Sequence, residues 1–260
     1  MTDTNPAEEA RALIACLDLT DLNDGSSEAD VDALIERAQT PHGNVAAICI
    51  WPRFVAHAKA RLPAGMKLAT VVNFPDGGED IEAVIAEAKQ AIADGTDEID
   101  YVIAYRRIDG DPGYAARQVE KLREAIGGVT LKAILETGEL HDPALIEVAA
   151  VSALHGGADF LKTSTGRTQT SATLPAARIL LRSILQDESG RALGFKPSGG
   201  IRSFEDARAY RDLADEVMGK GWATPETFRI GASGVLADLL AVADGKRAPG
   251  ERPAGTGSAY

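Results

Sequence analysis

The feature that most constrains this chain is a regular alternation of short apolar runs with helix-patterned segments. Eight runs read as strands: AAICIW (46–51), LATVVNF (68–74), DEIDYVI (97–103), LKAILET (131–137), DFLKTST (159–165), LGFKPSG (193–199), DEVMG (215–219) and FRIGA (228–232). Each is short, rich in branched residues and bounded by Gly, Pro or Asp. Between them lie helix signals. Ile81, Val84, Ile85, Ala88 and Ile92 share one helical face after Asp80, and Asp142-Pro143 pairs an N-cap with proline at the first helical position. Ser27–Asp30 and Ser203–Asp206 have capping-box form. Eight such alternations over about 200 residues predict an α/β fold, a (β/α)8 barrel of ~250 residues. The competitor, an open doubly wound sheet, would carry a nucleotide-binding glycine fingerprint after its first strand, where this chain has Trp51-Pro52-Arg53. The expected organisation is a single domain over 1–260: an extra N-terminal helix and loop in residues 1–25, a barrel over about 46–244, and a flexible tail over 245–260.

Composition removes several function classes. The 260 residues carry 27 basic and 39 acidic side chains, a net charge of −12 that gives no basic surface for nucleic acid. No apolar run approaches the ~18 residues of a membrane span, and the N-terminal segment lacks a secretory pattern. Two cysteines make no disulfide framework, so a cytoplasmic location is expected. The basic residues divide into 18 arginines and only nine lysines, which makes the placement of lysine informative.

Period-two alternation sorts the strand residues by face. With the larger apolar residues turned toward the helices, Asp100, Lys132, Lys162 and Lys196 point into the barrel. A buried cation without a partner costs several kcal/mol, so these positions call for an explanation. For Lys132 a structural ion pair with Glu136 or Asp100 explains it. Lys162 and Lys196 stand near strand ends, before the small-residue loops Thr163–Gly166 and Pro197–Gly200, and barrel active sites lie at that face. An amine attacks a carbonyl only when unprotonated, and lysine ordinarily titrates near ~10.4. A second ammonium close by, together with desolvation, lowers that value and permits a Schiff base. Arginine cannot serve, because its pKa is too high to shift usefully.

Three glycine loops follow consecutive strands: Thr165-Gly166-Arg167, Gly199-Gly200-Ile201-Arg202 and Gly231-Ala232-Ser233-Gly234. The last opens a helix whose N-terminal amides would face the barrel mouth. Together with two arginines, the loops point to a phosphate on the substrate. The four histidines show no ligand spacing, so no metal and no cofactor are expected. Cys49 reads as a small core residue, and Trp51 and Phe74 as aromatic packing or cavity mouth.

The segments CLDLTDLN (16–23), NFPDG (73–77), LETGEL (135–140), ADFLKTSTG (158–166) and GFKPSGGIR (194–202) resemble the deoxyribose-phosphate aldolase family. The resemblance runs in order from about residue 13 to 242. It implies a metal-independent Schiff-base aldolase that reversibly cleaves 2-deoxy-D-ribose 5-phosphate into glyceraldehyde 3-phosphate and acetaldehyde, in deoxyribonucleoside catabolism. By position it implies Lys162 as the Schiff-base lysine, Lys196 as its perturber, Asp100 in a proton relay, and Tyr260 in proton transfer at the acetaldehyde-derived carbon. Asp18, Thr20, Lys132 and Thr165 would line the pocket, and Gly166, Arg167, Gly199, Gly200, Ser233 and Gly234 would receive the phosphate. Partners would be a small sugar phosphate and aldehydes, with no nucleic acid or membrane, and a homodimer is left open. The chain departs from the family in having Arg167 where lysine is common, Gly234 where a second serine is frequent and Trp51 where tyrosine occurs. Competing readings are another Schiff-base barrel, transaldolase-like or dehydroquinase-like, and a catalytically silent barrel that binds a sugar phosphate.

Overall fold

The structure is a computed structural model, and it describes residues 5–251. Among these, eight parallel strands form one sheet: β1 (Leu17–Asp21), β2 (Ala47–Ile50), β3 (Lys67–Val72), β4 (Glu98–Val102), β5 (Thr130–Ile134), β6 (Phe160–Lys162), β7 (Gly194–Lys196) and β8 (Ile230–Ala232). Neighbours follow chain order, and β8 returns to pair with β1 through Leu17 opposite Ile230. The remaining edge closes through parallel bridges, Phe195 with Phe228 and Ser198 with Gly231. The N–H of Phe195 donates to the Thr227 carbonyl there, and that of Arg229 to the Phe195 carbonyl. The result is the expected (β/α)8 barrel, and the open sheet is excluded.

The count of eight is right, but one member is exchanged. The run 215–219 is the end of a helix, Phe204–Met218, in which Tyr210, Leu213 and Ala214 continue the buried helical face. The strand missing from the reading is Leu17–Asp21, so the barrel begins near residue 17 rather than near 46. Its alternation is clean: Leu17 and Leu19 join the apolar core, while Asp18 turns inward. The N-terminal segment therefore supplies a helix, α1 (Pro6–Ala15), and a barrel strand instead of a helix and a loop.

Helices α2 (Glu28–Ala38), α3 (Val55–Lys59), α4 (Ile81–Ala93), α5 (Gly113–Ile126), α6 (Pro143–His155), α7 (Leu174–Leu185), α8 (Phe204–Met218) and α9 (Val235–Ala243) follow the eight strands in turn. Their starts are set by the residues read as caps. Ser27 and Ser203 close capping boxes with Asp30 and Asp206, and Asp80 and Asp142 accept from Ala83 and Ala144 amides. None of the described helices is long and apolar enough to cross a membrane. The beginning of the expected flexible tail is fastened: buried Arg247 pairs with Glu205 and Asp238, and the Gly250 amide donates to Glu205. Residues 252–260, including Tyr260, lie outside the described residues.

The helix-facing core takes the outward strand residues, including Ile48, Ile50, Leu68, Ile99, Tyr101, Leu131, Leu161, Phe195 and Phe228. Inside, close packing depends on one small residue. A β-carbon on Gly194 would fall 2.2 Å from the Phe160 ring, which itself covers the Arg229 guanidinium at 5.9 Å. Gly194→Ala should therefore destabilise the protein by about 1–3 kcal/mol, the usual cost of overpacking, measured as a lower urea midpoint at unchanged slope.

Candidate active site

The pairing register gathers the polar inward residues. Asp100 lies opposite Lys132 on β5, and Lys162 opposite Lys196 on β7. Asp18 sits between Ala47 and Gly231, and a β-carbon at Gly231 would come within 3.0 Å of the Lys196 side chain. The small residue beside Asp18 thus leaves room for the lysine to reach it.

One continuous network results. Lys132 Nζ donates to Asp100 Oδ1 at 2.8 Å and lies 2.6 Å from Glu98 Oε2 and 3.5 Å from Asp18 Oδ2. Lys196 Nζ donates to Asp18 Oδ2 at 2.5 Å and to Asp100 Oδ2 at 2.7 Å. Lys162 Nζ donates to that same Asp100 oxygen at 2.7 Å. Arg229 completes the base, donating from Nη1 to Asp18 Oδ1 at 2.7 Å and from Nη2 to Glu98 Oε1 at 2.9 Å. All seven side chains are buried. Four cations therefore face three carboxylates.

The distribution of partners is unequal, and it decides the protonation pattern. Burial lowers all three lysines. For Lys132 the opposing charges of Asp100, Glu98 and Asp18 more than offset it, and for Lys196 those of Asp100 and Asp18 do so, which holds both above the ordinary lysine value. Lys162 has only Asp100, and the neighbouring Lys196 works against it. Its pKa is lowered, by burial first. Burial raises the carboxyls, but lysine charges outweigh it at Asp100, and Lys196 and Arg229 do so at Asp18, so both fall below the ordinary value. Lys162 is also the lysine with residual exposure, 3% against 0% for the other two.

The glycine loops converge beside this network. Gly166, Gly199 and Gly200 all adopt positive φ, and a β-carbon on Gly199 would lie 3.1 Å from the Gly166 Cα. The Gly199 amide in turn donates toward the Gly231 carbonyl. Gly234 is the N-cap of α9 and has no side-chain capping bond, while the Ser233 carbonyl accepts from Arg37. Arg167 extends its guanidinium to the Leu22 carbonyl and Asp24, across the mouth on the loop after β1. Thr20 turns its hydroxyl to the Asp18 carbonyl and is not joined to the lysines.

Glu136 is not the partner of Lys132. It accepts from the Thr165 amide and hydroxyl and from the Thr168 hydroxyl, and so fixes the loop after β6. It does so at φ +51, a left-handed conformation that costs a non-glycine residue of order 1–3 kcal/mol. Cys49 is buried, but in a small cluster with Ala69 and Val71 inside the barrel, apart from the helix-facing core. Leu22, Trp51 and Phe74 pack on that cluster, the two rings edge to face at 5.6 Å, so an apolar wall lies within a charged interior. Burial pushes the Cys49 thiol up, and the Asp100 charge adds to it.

Three site features escaped the sequence reading: Glu98, Arg229 and the anchoring role of Glu136. The alternation that selected Asp100 also places Glu98 inward, and in Phe228–Ala232 it places Arg229 on the side of Gly231. The signal was present, but arginine is ordinarily read as surface charge.

A closed barrel with four cations gathered in its interior and glycine loops at the strand ends has the architecture of a barrel enzyme. The chain belongs to the DeoC/LacD family of aldolases, whose model matches residues 12–241, and it is accordingly a carbon–carbon lyase. It is 49% identical over 244 residues to the deoxyribose-phosphate aldolase of Agrobacterium fabrum, covering 92% of this chain and 93% of that one. Among solved structures, the apo form of a candidate deoxyribose-phosphate aldolase from Toxoplasma gondii ME49 superposes with a TM-score of 0.83 at 28% identity, covering 92% of this chain and 96% of the other. The tetrameric deoxyribose phosphate aldolase of Aeropyrum pernix gives 0.71 at 25% identity, over 93% and 98%.

The depressed carboxyls make stability depend on acid in a definite direction. Asp18 and Asp100 titrate below their ordinary 3.8 when folded, so each contributes stability that is complete above about pH 5 and is lost as pH falls through 4 toward the folded values. Urea unfolding from pH 7 to pH 3 should show this loss. Asp18→Asn should lower stability at pH 7 by about 3–5 kcal/mol, because buried cations are left unpaired, and should flatten the acid slope.

Proposed function

We propose that this protein reversibly cleaves 2-deoxy-D-ribose 5-phosphate to glyceraldehyde 3-phosphate and acetaldehyde through a Schiff base on Lys162, as a cytoplasmic enzyme of deoxyribonucleoside catabolism. The observation that carries this reading is the inequality among the buried lysines. Lys162 has one carboxylate partner, shares that oxygen with a second lysine, and is the one with any exposure. The names of the relatives support the substrate, and both described cysteines are free thiols, as a reducing compartment requires.

The chemistry follows from these positions. The Lys162 amine adds to the substrate aldehyde carbon, and loss of water from the carbinolamine leaves an iminium. Removal of the proton from the 3-hydroxyl then breaks the C2–C3 bond, and its electrons pass to the iminium as an enamine. Glyceraldehyde 3-phosphate departs. Protonation of the enamine carbon and hydrolysis release acetaldehyde and restore the amine. Lys196, kept as an ammonium by Asp18 and Asp100, opposes protonation of Lys162 electrostatically. Asp100 accepts from both amines and is suited to hand protons between them and water. Lys132 and Asp18 hold Asp100 and Lys196 in place, with Thr20 and Thr165 on the polar lining.

The phosphate is assigned to the amides of Gly166, Gly199 and Gly200 and to the α9 N-terminus at Ser233 and Gly234. Arg167 would exchange its Asp24 contact for it. Tyr260, outside the described residues, is assigned to proton transfer at the acetaldehyde-derived carbon on the resemblance alone.

Borohydride reduction in the presence of acetaldehyde should attach a two-carbon adduct to Lys162, located by peptide mass spectrometry. Lys162→Leu should abolish coupled detection of glyceraldehyde 3-phosphate from deoxyribose 5-phosphate while retaining the unfolding transition. Near-normal turnover in that variant, or activity lost to chelator, would overturn the mechanism. Removal of Tyr260 should slow proton exchange at acetaldehyde more than it weakens phosphate binding.

A further inference from the structure

We infer that Arg229 is the positioning residue that sets the charge of the lysine network, so that Lys162 is the group that must give up a proton. The inference rests on the reading of Lys162 as the Schiff-base amine.

Arg229 is 6% exposed and held on every side. Nη1 and Nη2 reach Asp18 and Glu98, Nε donates to the Pro225 carbonyl, and the Phe160 ring covers its face. A guanidinium so placed cannot leave and cannot discharge. The charged and titratable groups on the surrounding elements are Cys16 before β1, Asp18 from β1, Cys49 from β2, Glu98 and Asp100 from β4, Lys132 from β5, Lys162 from β6, Lys196 from β7 and Arg229 before β8. From β3, Thr70 offers only a hydroxyl, which donates to the Ile50 carbonyl. Without Arg229, three carboxylates would match three lysines, and each amine could remain an ammonium. With it, the interior holds one cation too many.

Competition then directs where that excess is relieved. Arg229 occupies Asp18 Oδ1 and both oxygens of Glu98, so Lys196 and Lys132 must also draw on Asp100. Lys162 is left with half of one carboxylate oxygen and is the amine that can lose its proton to solvent. A lysine in place of Arg229 would keep the count while its two carboxylates held it charged. A neutral residue would not.

The test follows Lys162 labelling by acetaldehyde and cyanoborohydride against pH, an uncharged probe that leaves phosphate ionisation out, alongside the pH profile of kcat/KM. Arg229→Gln should move the ascending midpoint of both to higher pH by about one unit, a roughly tenfold loss on the acid limb. Glu98→Gln should move it the opposite way, and Arg229→Lys should restore the original midpoint. A general weakening of the fold would not produce shifts of opposite sign. Unmoved midpoints, or shifts in one direction for both neutral variants, would overturn the role of Arg229. If Arg229→Gln does not fold, an unmoved midpoint in Arg229→Lys with a lowered one in Glu98→Gln supports the role, and any other pattern overturns it. Absence of any Lys162 adduct in the unsubstituted protein would instead overturn the Schiff-base reading itself.

Discussion

The Asp100 carboxylate, which accepts from three buried lysines at 2.7–2.8 Å, is the interaction on which the interior of this barrel depends. Each lysine comes from a different strand, so the carboxylate ties β4 to β5, β6 and β7 across the barrel. Such a cluster is tolerable only if nearly every charge has a partner, because stranded buried ions cost several kcal/mol each. The network meets this requirement with one exception in its balance, a single surplus cation. That surplus is relieved where partners are fewest, at Lys162, the lysine that keeps some exposure.

Stability and reactivity are thus two aspects of one arrangement. The residues that keep the interior ionised, Asp18, Glu98 and Arg229, come from the N-terminal ends of their strands, whereas Lys162 is the last residue of β6. The rim is built by other means. Glu136, in a strained conformation, holds the loop after β6 through Thr165 and Thr168, and the glycines of successive loops pack against one another. The apolar wall of Cys49, Ala69 and Val71 excludes water from one side of the same space, which strengthens every electrostatic effect within it.

Much of this was legible in the residues. Period two placed Asp100, Lys132, Lys162 and Lys196 on one face, and the caps at Ser27, Asp80, Asp142 and Ser203 marked true helix starts. Two strand readings failed for definite reasons. Leu17–Asp21 alternates Leu with polar residues and follows a helix with one residue between, so it lacks the branched, turn-bounded look of its neighbours. Asp215–Gly219 has that look, yet its apolar residues extend the buried face of α8. The reach of the Arg167 side chain to the loop after β1 was not legible, because it joins residues more than 140 positions apart.

The sequence by itself determined the barrel, the inward lysines and the family, because periodicity and local motifs are properties of neighbouring residues. Only the tertiary structure decided which lysine is short of carboxylates, that Lys132 pairs with Glu98 and Asp100 rather than Glu136, and that Arg229 belongs to the network. Those outcomes depend on which oxygens are already taken by residues as much as 211 positions apart. Charge balance is a sum over the closed barrel, and no single segment of the chain contains it.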